Sequence, residues 1–416
     1  MEKARHISIV GGGIIGLFCA YYLQKAGFEV AVFDKGDLSE GCSHGNAGMV
    51  VPSHFVPLAA PGMIAKGIRW MFNPESPFYI RPRLSASLLS WGWQFYRAAN
   101  QKHVHRAAPA LRDISLLSKR LYQELARDFA FAFEERGILL MYKTEALAEE
   151  EAEVAEMAKE LGIETQILHA AEVQAMEPDI QVDILGAVYY PGDAHLSPAL
   201  LLEALKKHLR QVGVTLHSKT QIQDIKYRNQ RIHQLQTNRG NFSVDHLLLA
   251  GGAWSEQMAR QLHFRLPMQA GKGYSVSLDQ PPICPRYPSL LMEAKVAVTP
   301  MGQQLRFAGT MEIAGLDETI NMRRVKGILK SIPHYLPDFT IDLPPKEKVW
   351  QGLRPCSPDG LPYIGQVSKF QNLTIASGHA MMGLSLAPAT GYLISQQLSK
   401  QSTDIDMQAF QPDRYP

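Results

Sequence analysis

The sequence HISIVGGGIIGLFCAYYLQKAGFEVAVFDKG occupies residues 6–36 and determines the architecture of this chain. Residues 6–10 are mostly β-branched and predict a short strand. Three glycines follow at once, in the spacing Gly11-x-Gly13-x-x-Gly16. In this spacing the first glycine allows a tight turn, the second lets the backbone approach a pyrophosphate, and the third lets a helix pack closely on the strand.

A helix and a second strand complete the unit. Residues 14–26 are largely apolar and predict a helix that ends at Gly27. Glu29–Phe33 predicts the second strand, and Asp34 follows it, 18 residues after Gly16 (34 − 16 = 18). An acid about 20 residues past the last glycine is the usual partner of a ribose hydroxyl. The order of strand, glycines, helix, strand and acid is therefore typical of a unit that binds NAD or FAD rather than NADP.

A secretory signal is the alternative interpretation of the same residues. Lys3 and Arg5 precede the apolar run of residues 7–23, which is the outline of such a signal. The glycines interrupt that run, and no small-x-small cleavage site follows it cleanly. We therefore favour the dinucleotide-binding interpretation.

Composition narrows the class of protein. Of the 416 residues, 46% are apolar and 20% are charged, which excludes a disordered chain. Lys+Arg number 42 and Asp+Glu number 40, so no excess of positive charge indicates a nucleic-acid partner. The four cysteines form no CxxC pair, and we predict neither a disulfide framework nor a metal site. A reducing compartment, the cytoplasm, fits this cysteine usage.

The remainder of the chain predicts a second domain. Strand patterns recur near residues 188, 222, 248 and 374, and we expect these strands to return to the nucleotide-binding sheet. The stretches between them predict a substrate domain with a mostly antiparallel sheet. The fold class is therefore α/β (α+β, two-domain), with a Rossmann-like domain built from discontinuous segments.

Motifs along the whole chain resemble the D-amino-acid oxidase superfamily of flavoproteins, and within it the FAD-dependent D-amino-acid dehydrogenase group. The matching stretches are IVGGGIIG (9–16), VFDKG (32–36), SHGNAGMVVP (43–52), LAAPG (58–62), YYPGDAHLSP (189–198), LLLAGGAWS (247–255), GKGYS (271–275), WQGLRPCSPDGLPYIG (350–365) and SGHAMMGLSLAPATG (377–391). The resemblance implies an FAD-binding domain at residues 1–52, 145–260 and 345–416. It implies a substrate domain at residues 53–144 and 261–344.

The resemblance also implies where FAD binds. The cofactor would lie along the glycine loop, with Asp34 on the adenosine ribose and a helix N-terminus near residue 383 at the flavin. The implied contacts are Gly11, Gly12, Gly13, Ile14, Ile15, Gly16, Asp34, Lys35, Ser43, Asn46, Ala47, Gly48, Gly251, Gly252, Trp254, Gly378, Met382, Gly383 and Leu384. Sarcosine-oxidase relatives attach flavin through a cysteine, but Gly352 aligns there and Cys356 is offset. We therefore expect non-covalent FAD.

Four side chains are candidates for contact with the substrate. Arg354 occupies the position of the family's carboxylate-binding arginine, and a guanidinium fork matches two carboxylate oxygens at once. Tyr274 is a second candidate for the carboxylate or the amine, although a half-buried strand tyrosine would look the same. His379 is expected beside the flavin. His54 stands where other members of the group carry a tyrosine.

The resemblance implies oxidation of a D-amino acid by hydride transfer from Cα to the flavin, giving an imino acid and then a 2-oxo acid. Arg306 stands where oxidase relatives place an oxygen-activating lysine, so we expect a quinone or carrier protein as electron acceptor. The prolines and aromatics of residues 52–96 suggest a substrate of the D-proline or hydroxyproline type. Alternatives are a glycine or sarcosine oxidase, an FAD-bound subunit of a larger complex, and an NAD-binding module.

Membrane contact is also left open. Residues 70–72 are Trp, Met and Phe, which would suit a patch for peripheral docking on the inner face of the membrane. A cluster of this kind is also common in protein cores.

Overall fold

A computed structural model describes residues 6–39, 41–65, 67, 75–83 and 85–415. The Trp-Met-Phe cluster at residues 70–72 lies outside the described residues. The α-helices in the described part are Ile14–Lys25, Ala86–Ala98, Gln101–Leu125, Glu145–Glu160, Ala170–Met176, Pro198–Gln211, Ser255–Gln261, Met322–Ser331 and Gly383–Leu398.

The first sheet, which we call the nucleotide sheet, is built around the N-terminal strand. Its six strands, in spatial order, are Tyr363–Gln366, Leu373–Ser377, His246–Leu249, His6–Val10, Glu29–Phe33 and Thr215–His217. Neighbouring strands are parallel except at Tyr363–Gln366. The predicted βαβ unit is present, and the strands expected near residues 248 and 374 lie in this sheet.

The second sheet, which we call the substrate sheet, has nine strands and is mostly antiparallel. Eight follow in the order Trp350–Cys356, Gln269–Asp279, Gln304–Ile313, Val296–Met301, Ser289–Leu291, Ile138–Tyr142, Gly186–Tyr190 and Gln166–His169, and Phe78–Ile80 pairs with Gln304–Ile313. Two smaller sheets join Ile222–Arg228, Arg231–Thr237 and Gly240–Ser243, and join Met49–Val50 to Ala194–His195. The α/β two-domain fold class predicted from the sequence is confirmed.

Three strands lie elsewhere than predicted. The strand near residue 188, Gly186–Tyr190, pairs with Ile138–Tyr142 in the substrate sheet. The strand near residue 222 belongs to the separate three-stranded sheet. Trp350–Cys356 also lies in the substrate sheet, although the predicted limits placed residues 345–416 with the cofactor. A strand's pattern reports how deeply it is buried and not which sheet it joins.

Two helices pack on one face of the nucleotide sheet in unusually close contact. The first, Ile14–Lys25, starts at the glycine turn, and the second, Gly383–Leu398, is almost entirely buried. A Cβ atom at Gly391 would stand 2.5 Å from the carbonyl oxygen of Phe18. The two backbones therefore touch at a point where only glycine fits.

We predict that Gly391→Ala destabilises the fold by about 1–3 kcal/mol, because the added methyl group overpacks a rigid backbone contact. The control is Gly92→Ala in the helix Ala86–Ala98, where a Cβ atom would meet nothing within 4 Å. That substitution is expected to stabilise by about 0.5–1 kcal/mol through helix propensity. Urea unfolding of both variants measures the difference, and equal effects would contradict the close contact.

Candidate active site

A large cavity lies where the two sheets meet. Its volume is about 1750 Å³, and its walls come from both sheets and from the loops between them. Pockets for drug-sized ligands are usually about 300–1,000 Å³, so this cavity has room for a dinucleotide and a second, smaller ligand.

The glycine turn forms one end of the cavity. Gly11 has φ +114°, in the region that favours glycine, and a Cβ atom at Gly16 would stand 1.8 Å from the Gly11 carbonyl oxygen. The helix that begins at Ile14 therefore starts directly against the strand end, as predicted. Its first N–H groups form a site suited to a pyrophosphate. Ser43 joins this end, because its Oγ accepts a hydrogen bond of 3.1 Å from the Ile14 N–H.

Asp34 stands at the end of the second strand and faces the same turn. Its carboxylate accepts hydrogen bonds from the N–H groups of Gly12 (2.6 Å) and Gly36 (2.7 Å). These two bonds fix the carboxylate at the edge of the cavity, where it can also accept from ribose hydroxyls. Beside it, the Lys35 ammonium lies 3.6 Å from the centre of the Trp254 ring, so two further predicted cofactor residues are in contact.

Arg306 holds the loop that carries Asn46 and Ala47. Its Nη1 donates to the carbonyl oxygens of His44 (3.0 Å) and Asn46 (2.7 Å), and its Nε donates to Ser277 Oγ (3.0 Å). Burial lowers the pKa of its guanidinium to about 10, where the group is still charged at neutral pH. Arg306 is not among the residues that line the cavity, so it acts here as a clamp on the loop.

Most of the predicted cofactor residues line the cavity. The exceptions are Gly16, Gly48 and Gly378, where a Cβ atom would collide with a neighbouring residue. Gly48 and Gly378 both have positive φ, at +75° and +80°. Cys356 is fully buried and also does not line the cavity, which agrees with the offset seen in the sequence. Taken together, the donor set, the glycine turn and the cavity fit a bound FAD.

The Arg354 side chain crosses the neighbouring strand at Gly273 and lines the cavity. A Cβ atom at Gly273 would stand 2.2 Å from Arg354 Nη2, so the glycine makes space for the guanidinium. Arg354 Nη1 donates to the Thr310 carbonyl oxygen at 2.5 Å. No carboxylate of a described residue lies within ion-pairing distance of Arg354, and burial lowers the pKa of the guanidinium. A charged fork without an acidic partner is suited to an anionic ligand.

The backbone at Thr310 is strained where it meets Arg354. Thr310 has φ +67°, which is rare for a β-branched residue and costs about 1–3 kcal/mol. The ladder between Gln269–Asp279 and Gln304–Ile313 shifts register between Lys272 and Tyr274, which marks a bulge at this point. Bulges beside active sites commonly re-aim one backbone group, and here the re-aimed carbonyl orients the guanidinium.

His379 is a buried residue in the cavity lining, and one of its ring nitrogens is engaged. Thr390 Oγ1 gives its only proton to the Leu386 carbonyl (2.8 Å), so in its contact of 3.0 Å with His379 Nε2 it must accept. The proton of the neutral ring is therefore on Nε2, and Nδ1 is a buried acceptor without a partner among the described residues. Burial lowers the pKa of His379 to about 3, so the ring is neutral. A group bound at this end of the cavity can donate to Nδ1.

Tyr274 borders the cavity, but its hydroxyl is already engaged. The hydroxyl donates to Glu312 Oε2 (2.9 Å) and accepts from the Asn321 N–H (3.3 Å), and the side chain is fully buried. Burial, followed by the charge of Glu312, raises the pKa of the phenol above its usual value. A substrate contact through this hydroxyl therefore stays a prediction, and it would require the bond to Glu312 to break.

His54 lines the cavity from the segment after Met49–Val50. Its Nδ1 lies 3.0 Å from Ser53 Oγ, and Ser53 in turn bonds to the buried carboxylate of Asp193. Neither Ser53 nor Asp193 was singled out from the sequence. The two residues are 140 positions apart, so no local spacing connects them. Lys295, in the turn before Val296–Met301, is a further cavity residue that the sequence did not indicate.

Other features of the described residues bear on the class of protein. No group of three His, Cys, Asp or Glu side chains within them could hold a metal ion. In the same part of the chain, no helix has both the length and the apolar composition needed to cross a bilayer.

The fold and the cavity define a dinucleotide-binding enzyme with space for a second ligand. Residues 6–397 match the family model described as FAD dependent oxidoreductase (DAO), and the chain belongs to this family. Its cofactor is therefore FAD, and the resemblance inferred from the sequence motifs is confirmed at the level of the family.

Relatives with curated names are similar over nearly the full length. A D-amino acid dehydrogenase of Granulibacter bethesdensis is 30% identical over 96% of this chain and 97% of its own. One of Helicobacter pylori is 27% identical over 94% of both chains. Among solved structures, glycine oxidase from Geobacillus kaustophilus superposes with a TM-score of 0.79 at 24% identity, covering 99% of this chain and 100% of its own. L-proline dehydrogenase from P. horikoshii superposes with a TM-score of 0.75 at 18% identity, covering 100% of this chain and 98% of its own.

We predict that Asp34→Ala weakens FAD binding by about 10–100-fold, the loss expected for removing hydrogen bonds to a charged acceptor. The substitution also leaves the N–H groups of Gly12 and Gly36 without their acceptor. The control is Glu29→Ala, which removes the exposed carboxylate at the other end of the same strand. Fluorescence titration of the apoprotein with FAD measures both, and an unchanged dissociation constant for Asp34→Ala would contradict the assignment.

Proposed function

We propose that this protein is a D-amino-acid dehydrogenase, in which Arg354 binds the carboxylate of the substrate. The observation that carries the proposal is the guanidinium of Arg354, which lines the cavity without an acidic partner among the described residues. The names of the relatives support the D-amino-acid class. Family membership supports FAD as the oxidant, because bound FAD accepts a hydride from the Cα of an amino acid.

The chain's own residues contribute mainly position and electrostatics. The Thr310 carbonyl orients the Arg354 fork, and the fork fixes both carboxylate oxygens so that one face of Cα is presented for reaction. The N-terminus of the helix Gly383–Leu398 borders the cavity, and its dipole favours negative charge there. The imine leaves the site and is hydrolysed: a primary amino acid gives a 2-oxo acid and ammonia, whereas a cyclic substrate gives a ring-opened 2-oxo acid that keeps its nitrogen.

Part of the cavity wall is apolar and includes Trp91, Phe95 and Met382. This wall supports an apolar side chain on the substrate, and the D-proline and hydroxyproline type remains our proposed class.

We propose a quinone or a carrier protein as the electron acceptor. We propose the cytoplasm as the location, with peripheral contact on the inner face of the membrane. All four cysteines are free, which agrees with a reducing compartment.

An oxidase of the glycine or sarcosine type is the second candidate, and one observation favours it. Lys295, which has the side-chain type that the resemblance places near the flavin of oxidases, is among the residues that line the cavity, whereas Arg306 holds the loop that carries Asn46. Stoichiometric peroxide formation at high turnover with O₂ as sole acceptor would establish the oxidase in place of the dehydrogenase.

The direct test is anaerobic titration of the yellow holoprotein with single amino acids. D-proline, D-hydroxyproline, D-alanine, their L-isomers and sarcosine are added in turn, and the visible flavin band is followed. We expect the D-isomers alone to bleach the band, with the cyclic substrates fastest. Bleaching by L-isomers or by none of these compounds would overturn the proposal, and equal rates for D-proline and D-alanine would overturn only the cyclic preference.

We predict that Arg354→Lys raises KM for the D-amino acid far more than it lowers kcat. Lysine keeps the positive charge but loses the two-pronged fork. Arg354→Met, which also removes the charge, is expected to lose about 2–5 kcal/mol of binding, or about 30–4,000-fold. The control is Arg286→Lys, whose ion pair with Asp179 lies on the surface. Steady-state kinetics with the best substrate measures all three, and an unchanged KM for Arg354→Met would contradict the assignment.

A further inference from the structure

Three side chains form a continuous hydrogen-bonded chain from the buried interior to the cavity. Asp193 Oδ2 accepts from Ser53 Oγ at 2.5 Å, and Asp193 Oδ1 accepts from the Ser53 backbone N–H at 3.1 Å. The same Ser53 Oγ lies 3.0 Å from His54 Nδ1. Asp193 is 1% exposed, whereas His54 lines the cavity. We call these three residues the relay.

The hydrogen-bond pattern fixes the starting protonation of the relay. A serine hydroxyl has one proton, and when Asp193 is ionised that proton is given to its carboxylate. His54 Nδ1 must then carry a proton and donate it to Ser53 Oγ. His54 Nε2 is consequently a bare acceptor, and it makes no hydrogen bond to any residue in the described part of the chain.

The relay and the carboxylate-binding fork border the same cavity. Arg354 bonds to the Thr310 carbonyl, and a Cβ atom at the adjacent Gly309 would stand 3.3 Å from the carbonyl oxygen of Lys295. Lys295 in turn acts electrostatically on His54. His54 and Arg354 both line this cavity, so a ligand bound there can meet the fork with its carboxylate and His54 with its α-amino group.

Burial and two lysines, Lys295 and Lys119, disfavour a net positive charge on the relay. Burial, and then Lys295, lower the pKa of His54 to about 4. Burial raises the pKa of Asp193 to about 7, against the lowering effect of the Ser53 bonds and of Lys119 on the helix Gln101–Leu125. Tyr190 also faces Asp193, and its own pKa is raised by burial, so it stays neutral.

We propose that the relay deprotonates the substrate's ammonium group before hydride transfer, with His54 as the catalytic residue and Ser53 and Asp193 as positioning and proton-storing residues. This inference rests on the proposed function. The ammonium N–H proton passes to His54 Nε2, the Nδ1 proton passes to Ser53 Oγ, and the Ser53 hydroxyl proton passes to Asp193 Oδ2. The amine gains a free lone pair, no electrons leave the system, and a proton rests on Asp193.

The direction of transfer follows from burial. Before transfer the site holds an ammonium cation and a buried carboxylate, and afterwards it holds a neutral amine and a neutral carboxylic acid. A low-dielectric environment favours the neutral pair. The relay therefore supplies the base that the sequence did not reveal, and it works only while Asp193 is ionised.

The test compares pH profiles of anaerobic flavin reduction by the best D-amino acid in the full holoprotein. Wild type is expected to lose reduction efficiency as the pH falls through about 7, where Asp193 takes up a proton. Ser53→Ala removes the hydroxyl that connects His54 to Asp193 but keeps the hydrogen bond from the Ser53 backbone N–H. The rate of flavin reduction at pH 7 should fall by about 10²-fold or more. The rate of this variant should recover only at alkaline pH, where the free substrate's ammonium loses its own proton. Ser53→Thr keeps the hydroxyl and should keep the wild-type profile.

A second variant and a binding measurement make the test independent of folding defects. Asp193→Asn keeps the shape of the side chain but stores no proton. The fall in reduction efficiency near pH 7 should therefore disappear from its pH profile. The analogue 2-aminoisobutyrate has no Cα–H and is bound without reaction, so its dissociation constant is read from the flavin spectrum. That constant should tighten above pH 7 in wild type and in Ser53→Thr, but not in Ser53→Ala or Asp193→Asn.

The outcomes separate the relay from the proposed function. If the pH profiles of Ser53→Ala and Asp193→Asn parallel the wild-type profile and only the melting temperatures fall, the two residues have a structural role. That result would overturn the relay but not the proposed function. A wild-type flavin that no amino acid reduces would overturn the proposed function and the relay with it. Disappearance of the fall near pH 7 in both variants, with retention in Ser53→Thr, supports the relay.

Discussion

The active site depends on one close approach between three backbones. Where the first strand ends, Gly11 lies between Gly16, in the first turn of the helix, and Ala250, just after the end of the neighbouring strand. Added Cβ atoms at Gly11 and Gly16 would stand 2.3 Å from the Ala250 carbonyl oxygen and 1.8 Å from the Gly11 carbonyl oxygen. Because nothing larger than glycine fits, the helix N-terminus, the Asp34 carboxylate and the 251–254 segment converge on one end of the cavity.

The other end of the cavity is organised by charge. The guanidinium of Arg354 has no acidic partner among the described residues. The guanidinium of Arg306 instead donates hydrogen bonds to the backbone of the loop that carries Asn46. The two arginines lie on strands that flank Gln269–Asp279 on opposite sides in the substrate sheet, and only Arg354 lines the cavity. Under the proposed function, a zwitterionic substrate binds with its carboxylate on the Arg354 fork and its amine toward His54.

Local spacing and resemblance predicted different parts of this picture. The glycine turn and Asp34 follow from spacing within 30 residues, whereas Arg354 and His379 were placed by resemblance alone. The strand at residues 186–190 was assigned to the wrong sheet, since its pattern is the same in either. The contact between Ser53 and Asp193 joins residues 140 positions apart, and the Tyr274 bond to Glu312 depends on strand register. Such pairings come from tertiary structure and leave no trace in local sequence.

The most direct test of the account is a crystal structure of the FAD-loaded protein with 2-aminoisobutyrate. The account predicts FAD along the glycine turn, the ligand carboxylate bound by both arms of the Arg354 fork, and the ligand nitrogen within hydrogen-bonding distance of His54 Nε2. A ligand carboxylate bound elsewhere in the cavity, with Arg354 still joined only to Thr310, would contradict it.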